Sequence, residues 1–159
     1  KRMKRRHSRE LAIDLVARLK AKRPDIAIGA DIIAGFPTED DAMFANSVDH
    51  IRQCGIVHGH IFPYSPKKGT PAARMPQLPP QTIKARAKAL RDAVAVQKTD
   101  WMNSLVGTVQ NVAVESGGLA GHAENFAYLK LDRIMAEGSI VAARVTHTQE
   151  GNLQAEVIE

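Results

Sequence analysis

The stretch Ile28-Gly29-Ala30-Asp31-Ile32-Ile33-Ala34-Gly35-Phe36-Pro37-Thr38-Glu39 joins a short, almost wholly apolar run to a glycine turn and a helix start. Because it lies between two helical patterns, the run favours a parallel strand buried on both faces. Gly35 and Phe36-Pro37 predict an irregular loop at the carboxyl end of this strand, where α/β proteins place their ligands. Thr38 is expected to cap the next helix, since acidic residues fill that helix's first turn. An ordinary strand-to-helix turn is the competing interpretation.

The flanking segments continue as alternating helices and strands. Leu11, Leu15 and Leu19 recur four residues apart and predict one face of an amphipathic helix between Ser8 and Pro24. A helix from residue 39 to about residue 53 follows the first strand, and a second strand is expected over residues 56–62. This order predicts parallel strands with right-handed crossovers.

A change of pattern near residue 103 predicts two domains, at residues 1–103 and 104–159. A proline-rich loop over residues 63–80 precedes a long helix that is expected to end near residue 102. The later segment carries several short strands separated by glycine turns, which is typical of a small antiparallel β-barrel. The expected fold class is therefore α/β followed by all-β.

The net charge of +5 is distributed very unevenly along the chain. Residues 1–23 carry a net charge of +8 and residues 67–99 carry +7, whereas residues 24–66 and 100–159 each carry −5. Two basic bands of this strength favour a polyanionic partner such as nucleic acid. Solvated helix faces that keep the protein in solution are the alternative.

Cysteine usage and hydropathy exclude several classes of protein. The single Cys54 cannot form an internal disulfide or hold an iron–sulfur cluster alone, and it favours a reducing, cytoplasmic setting. The sequence contains neither a membrane-spanning segment nor a signal peptide. It starts with Lys1 inside a basic run, so a fragment of a longer protein is expected.

Three polar residues in the two strands are candidates for chemistry. His58 and His60 lie two positions apart, so both side chains are expected on one face of the second strand. No third ligand is placed by the sequence, and no metal site is predicted. Asp31 interrupts an apolar run, and such a carboxylate either lies at a strand end or is retained for a ligand.

Several stretches resemble the radical S-adenosylmethionine methylthiotransferases that modify tRNA. Residues 31–39 match the family's Asp-Ile-Ile-x-Gly-Phe-Pro-Gly-Glu signature, except that Thr38 stands where glycine is usual. His60-Ile61-Phe62-Pro63-Tyr64-Ser65 and the residues to Ala73 are close to the motif Phe-x-Tyr-Ser-x-Arg-x-Gly-Thr-x-Ala, with Lys67 or Lys68 replacing the arginine. Residues 3–8 look like Met-x-Arg-x-Tyr-Thr, with His7 for tyrosine and Ser8 for threonine. The last domain resembles the RNA-binding, OB-like TRAM barrel of these enzymes.

The resemblance implies that residues 1–103 are the last (β/α) units of a partial radical S-adenosylmethionine barrel. Such enzymes use S-adenosylmethionine and two [4Fe–4S] clusters, and this chain lacks both sets of cluster cysteines. No catalytic residue is therefore assigned here, and the fragment alone is expected to be inactive. The implied cofactor-binding residues are Asp31, Gly35, Phe36, Pro37, Phe62, Pro63 and Tyr64.

With tRNA as the implied partner, cations in the basic bands and on the barrel become candidates for phosphate contacts. They are Lys4, Arg5, Arg6, Lys67, Lys68, Lys84, Arg86, Lys88, Arg91 and Lys130. The truncated barrel is also expected to expose an open sheet edge, which permits self-association.

The stretch Gly121-His122-Ala123-Glu124-Asn125-Phe126 resembles the run Gly-His-Thr-Glu-Asn-Tyr of the subgroup that acts on N6-threonylcarbamoyladenosine. This stretch and His60 favour that substrate. Sister enzymes that act on isopentenyladenosine in tRNA or on a ribosomal protein are the alternative. A non-catalytic RNA-binding module is a third possibility from a different class.

Overall fold

The computed structural model describes Met3 and residues 6–158, which form two compact units. The first unit ends at Lys98 and the second begins at Thr99. The first contains α1 (Arg9–Lys22), β1 (Ile28–Ala34), α2 (Asp41–Cys54), β2 (Ile56–Pro63), a 3-10 turn (Ala72–Arg74) and most of α3 (Pro80–Leu105). The assignment of residues 1–103 and 104–159 as separate domains stays a prediction.

The predicted parallel pairing of the first two strands is confirmed. β1 and β2 form a two-stranded parallel sheet, with Ile32 opposite Ile61. The helices cover one face of this sheet, where Ala34, Ile51 and Leu90 are almost completely buried. A side chain at Gly59 would meet Val94 Cγ2 of α3 at 2.5 Å, so the absence of a Cβ lets α3 lie directly on β2.

The predicted packing face of α1 is wrong. Leu11, Leu15 and Leu19 are 52%, 48% and 38% exposed, whereas Ile13 and Val16 pack against the buried cluster. Ser8 does cap the helix, since its Oγ accepts from the backbone N–H of Leu11, in the first turn of α1, at 3.2 Å. The leucine periodicity therefore predicted the helix but not the side that faces the sheet.

Asp40, not Thr38, caps α2. The Asp40 carboxylate accepts from the backbone N–H of Met43 at 2.7 Å, and the helix begins at Asp41. Thr38 adopts a left-handed backbone with a φ of 70°. An N-cap residue has an extended backbone, so Thr38 cannot cap the helix in this conformation. The predicted end of the helix is confirmed, because Gly55 forms its left-handed C-cap.

The second unit contains a closed five-stranded barrel, which confirms the all-β second part. Its strands are β3 (Val109–Val114), β4 (Ala120–Ala123), β5 (Tyr128–Leu131), β6 (Ile140–Gln149) and β7 (Asn152–Val157), in the order β3-β4-β5-β7-β6. Its interior includes Val112, Leu129 and Leu153, each at most 1% exposed. One pair departs from the antiparallel prediction, since β5 and β7 run parallel.

No helix formed by the described residues combines the length and the apolar character that crossing a bilayer requires.

Candidate cofactor and RNA-binding site

The face of the β1–β2 sheet that the helices leave open carries polar and aromatic side chains. Asp31 lies opposite His60, and Ile33 lies opposite Phe62. Strand alternation places His58 on the same face, where it is half-buried, while Asp31, His60 and Phe62 are exposed. A carboxylate, two imidazoles and a phenyl ring thus share one surface.

Asp31 bears no burial penalty in the described chain, because its side chain is exposed. Within the residues that the structure describes, no three His, Cys, Asp or Glu side chains are grouped to hold a metal ion. The open face presents carboxylate, imidazole and aromatic side chains.

The loop after β1 is packed rather than open. Gly35 has a φ of 75° and is buried, and a Cβ on it would lie 2.8 Å from Ile83 Cγ1 and 3.1 Å from Ile83 Cα. Pro37 is among the side chains with less than 2% exposure. Gly35 and Pro37, two of the predicted cofactor-binding residues, are therefore buried in the loop. A ligand at the open face would contact other side chains.

Glu39 holds this loop by folding back onto its backbone. Its Oε2 accepts from the N–H of Gly35 at 2.7 Å and from the N–H of Phe36 at 3.2 Å. Arg86 of α3 in turn donates from Nη1 to Glu39 Oε1 at 3.2 Å and to the Glu39 carbonyl oxygen at 2.8 Å. A side chain of the loop itself and one from α3 thereby fix the conformation of the strand-end loop.

The structure places Arg86, one of the predicted phosphate contacts, in a buried and paired position. It is 8% exposed, its Nη2 donates to Asp41 Oδ1 at 2.6 Å, and its guanidinium lies 5.3 Å from the centre of the Phe44 ring. A buried guanidinium that is already paired with two carboxylates has a structural role. The sequence did not predict the pairing of Arg86 with Glu39, because 47 positions separate the two residues. The acidic residue four positions after Gly35 was the one local signal that a buried cation would be needed there.

Phe36 and Tyr64 form an aromatic contact where both strands leave the sheet. Their ring centres are 5.5 Å apart in an edge-to-face arrangement, and the Tyr64 N–H donates to the Ala34 carbonyl at 2.8 Å. The Tyr64 hydroxyl is shielded from water and has no hydrogen-bond partner in the part of the chain that the structure describes. Phe62 and Pro63, which precede it, are exposed.

The other candidate RNA contacts are scattered over the surface. Lys4 and Arg5 lie outside the described residues. Lys88 is paired with Asp92 at 2.5 Å on the surface of α3. The remaining candidates are exposed: Arg6, Lys67, Lys68, Lys84, Arg91 and Lys130.

Cys54 is a neutral core residue. It is 1% exposed, and burial raises the pKa of its thiol. Its Sγ lies 3.7 Å from His50 Nδ1, and burial lowers the pKa of that imidazole, with the positive charge of Arg9 adding to the effect. Burial therefore disfavours the thiolate form that a nucleophile or a metal ligand requires.

The stretch 121–126 forms β4 and the turn into β5 on the barrel. Phe126 is 71% exposed and has a φ of 63°, while the neighbouring Asn125 is buried and accepts from the N–H of Ala127. The rings of His122 and Tyr128 are in contact, with centres 5.1 Å apart and planes inclined at 57°. An aromatic surface thus lies on the outside of the barrel.

No family model matches this chain. The chain is 42% identical to a threonylcarbamoyladenosine tRNA methylthiotransferase of Rickettsia prowazekii, over 99% of this chain and 37% of the relative. It is 33% identical to a tRNA-2-methylthio-N(6)-dimethylallyladenosine synthase of Cereibacter sphaeroides, over 98% of this chain and 37% of the relative. A protein of the same description from Ralstonia nicotianae is 32% identical over 91% of this chain and 35% of its own length.

The chain thus spans little more than a third of the curated relatives that it matches. It is homologous to these methylthiotransferases over essentially its whole length, which confirms the resemblance found in the motifs.

Proposed function

Because the chain is homologous to tRNA methylthiotransferases over its whole length, we propose that it is part of an enzyme that adds a 2-methylthio group to N6-threonylcarbamoyladenosine near the anticodon of tRNA. The observation that carries this proposal is the higher identity to the threonylcarbamoyladenosine enzyme, 42% against 33% for a dimethylallyladenosine enzyme. The stretch 121–126 and His60 support the same substrate.

The open face of the β1–β2 sheet fits S-adenosylmethionine. Asp31 offers a carboxylate to a cationic or hydroxyl group, and exposed Phe62 offers apolar contact to an adenine ring. In enzymes of this kind, the bound cofactor supplies a radical when an iron–sulfur cluster cleaves it.

The clusters do not fit any group of residues in this chain. Its one thiol is buried, which raises the pKa of that thiol, and the described residues provide no convergent metal ligands. Both [4Fe–4S] clusters would have to be held by other parts of the enzyme. The contribution of this chain is therefore to bind and orient the cofactor, and to position tRNA through exposed cations such as Lys67, Lys68 and Lys130. With tRNA as the proposed substrate, we expect the enzyme to act in the cytoplasm.

A sister activity on dimethylallyladenosine is the second candidate, because relatives with that name also match nearly the whole chain. Nucleoside mass spectrometry of tRNA from cells that lack the gene separates the two. We expect loss of 2-methylthio-N6-threonylcarbamoyladenosine, retention of the isopentenyl counterpart, and restoration by the intact gene. Loss of the isopentenyl nucleoside alone would assign the sister activity, and loss of neither would contradict both.

A further inference from the structure

A cavity of about 420 Å³ lies beside the start of α3, between the loop that follows β2 and the helix. Its walls are mainly apolar and include Pro63, Pro66, Leu78 and Ile83. Cavities of about 300–1,000 Å³ with such walls and a few polar groups are typical binding sites for small organic groups. We call it the α3 pocket.

Two cations, and no acid among the described residues, line the α3 pocket. Lys84 and Arg91 are both exposed and lie seven positions apart on α3, which places them on one side of the helix about 10.5 Å apart along its axis. In the part of the chain described by the structure, neither forms an ion pair. Lys88 lies between them in sequence but is already paired with Asp92. Of these three cations on α3, the two without an ion pair among the described residues are therefore the two that line the pocket.

We propose that the α3 pocket binds one unstacked nucleotide of the substrate RNA, with its base against the apolar wall and its flanking phosphates on Lys84 and Arg91. The proposal rests on the proposed function and adds a binding site to it. The charge of the pocket argues for RNA, because an apolar cavity with two unpaired cations and no acid matches a base between two phosphates. Ser65 also lines the pocket.

The test uses the full-length protein that contains this chain, with labelled tRNA whose affinity is measured by fluorescence anisotropy over a series of KCl concentrations. Lys84→Glu and Arg91→Glu are each expected to weaken binding about tenfold. Each should also lower the slope of log K against log salt by about 1. Lys98→Glu is the matched control, since Lys98 is exposed on the same helix but does not line the pocket. It should leave the salt slope unchanged.

Ser65→Trp tests the contribution of the base apart from that of the phosphates, because it fills the pocket without changing the charge of the protein. We expect weaker tRNA binding with an unaltered salt slope. Unchanged affinity would overturn the proposal, as would equal effects of Lys84→Glu and Lys98→Glu. A changed oligomeric state of Ser65→Trp with normal tRNA affinity would also overturn it, because the pocket would then bind a protein chain and not RNA. Failure of the unaltered protein to bind tRNA would instead contradict the proposed function itself.

Discussion

Gly35 has two separate reasons to be glycine, and each can be measured. Its φ of 75° disfavours any side chain, and a Cβ would also press against Ile83. We expect Gly35→Ala to lower the free energy of unfolding by about 3 kcal/mol, from about 1–2 for the left-handed backbone and about 1–3 for overpacking. Urea denaturation measures this loss.

Gly69 provides the matched control, because its φ is 86° and a Cβ there would meet nothing within 4 Å. Gly69→Ala should therefore lose only the backbone contribution, about 1 kcal/mol. Equal losses at the two glycines would show that the contact with Ile83 has no effect on stability.

Thr38 is the one position of the first motif that departs from the family pattern, and it is strained. A β-branched residue with a φ of 70° is unfavourable, whereas glycine adopts this conformation freely. Thr38→Gly is expected to raise the free energy of unfolding by about 1 kcal/mol, since relief of strain of about 1–3 exceeds the entropy that glycine adds to the unfolded chain.

Thr38→Ala is the control for the Thr38 prediction, because it removes the hydroxyl and the branch but keeps a Cβ. It should recover less stability than glycine in a thermal melt. A gain as large as that of glycine would locate the strain in the side chain rather than in the backbone.

The sequence identified Gly35 as a turn but assigned the helix cap to the wrong residue. Thr38 and Asp40 can both cap a helix, and only the closure of the loop by Glu39 selects between them. Arg86, a residue far along the chain, also pairs with Glu39, and local sequence rules could not predict that contact.

At the scale of elements, the Arg86 pairs connect α3 to the start of α2. Arg86 is 8% exposed, and its loss would leave the Glu39 carboxylate partly buried without its cation. Arg86→Met is expected to destabilise the protein by about 3 kcal/mol, as is usual when one partner of a buried pair is removed. Lys88→Met is the control, since its exposed pair with Asp92 should contribute less than about 1 kcal/mol. Similar losses of melting temperature in both variants would contradict the structural role of Arg86.

Periodicity predicted that elements exist, but it did not predict which neighbour covers them. The α1 leucines repeat every four residues, which is a local property, whereas the side of α1 that is buried depends on where β1 and α2 lie. The same limit applies to the barrel. Strand patterns indicated a barrel, yet the parallel pairing of β5 with β7 depends on closure, which no single strand reveals.

At the scale of the whole molecule, the parallel pairing of β1 with β2 explains which side chains meet at the strand ends and on the open sheet face. Parallel strands bring Asp31 beside His60 and Phe36 beside Tyr64, although the members of each pair are far apart in sequence. The topology thus brings these motif residues together, and their role in binding a cofactor stays a prediction. The motifs did not predict the burial of Gly35 and Pro37 or the α3 pocket, because both require the packing of α3. Self-association through the sheet edge stays a prediction.

The role of the open face is the central claim, and Asp31 tests it most directly. Asp31 is exposed and opposes His60, so its removal should not affect folding. In the full-length protein, Asp31→Ala is expected to reduce activity far more than stability. Asp25→Ala serves as the control, because Asp25 is an exposed carboxylate near Arg23 and lies outside the site.

The measurement is the amount of 2-methylthio-N6-threonylcarbamoyladenosine in tRNA from deletion cells that carry each variant, together with the melting temperature of each purified protein. The account predicts near-complete loss of the nucleoside with Asp31→Ala at an unchanged melting temperature, and normal levels with Asp25→Ala. Normal nucleoside levels with Asp31→Ala, or parallel losses of nucleoside and melting temperature, would contradict it.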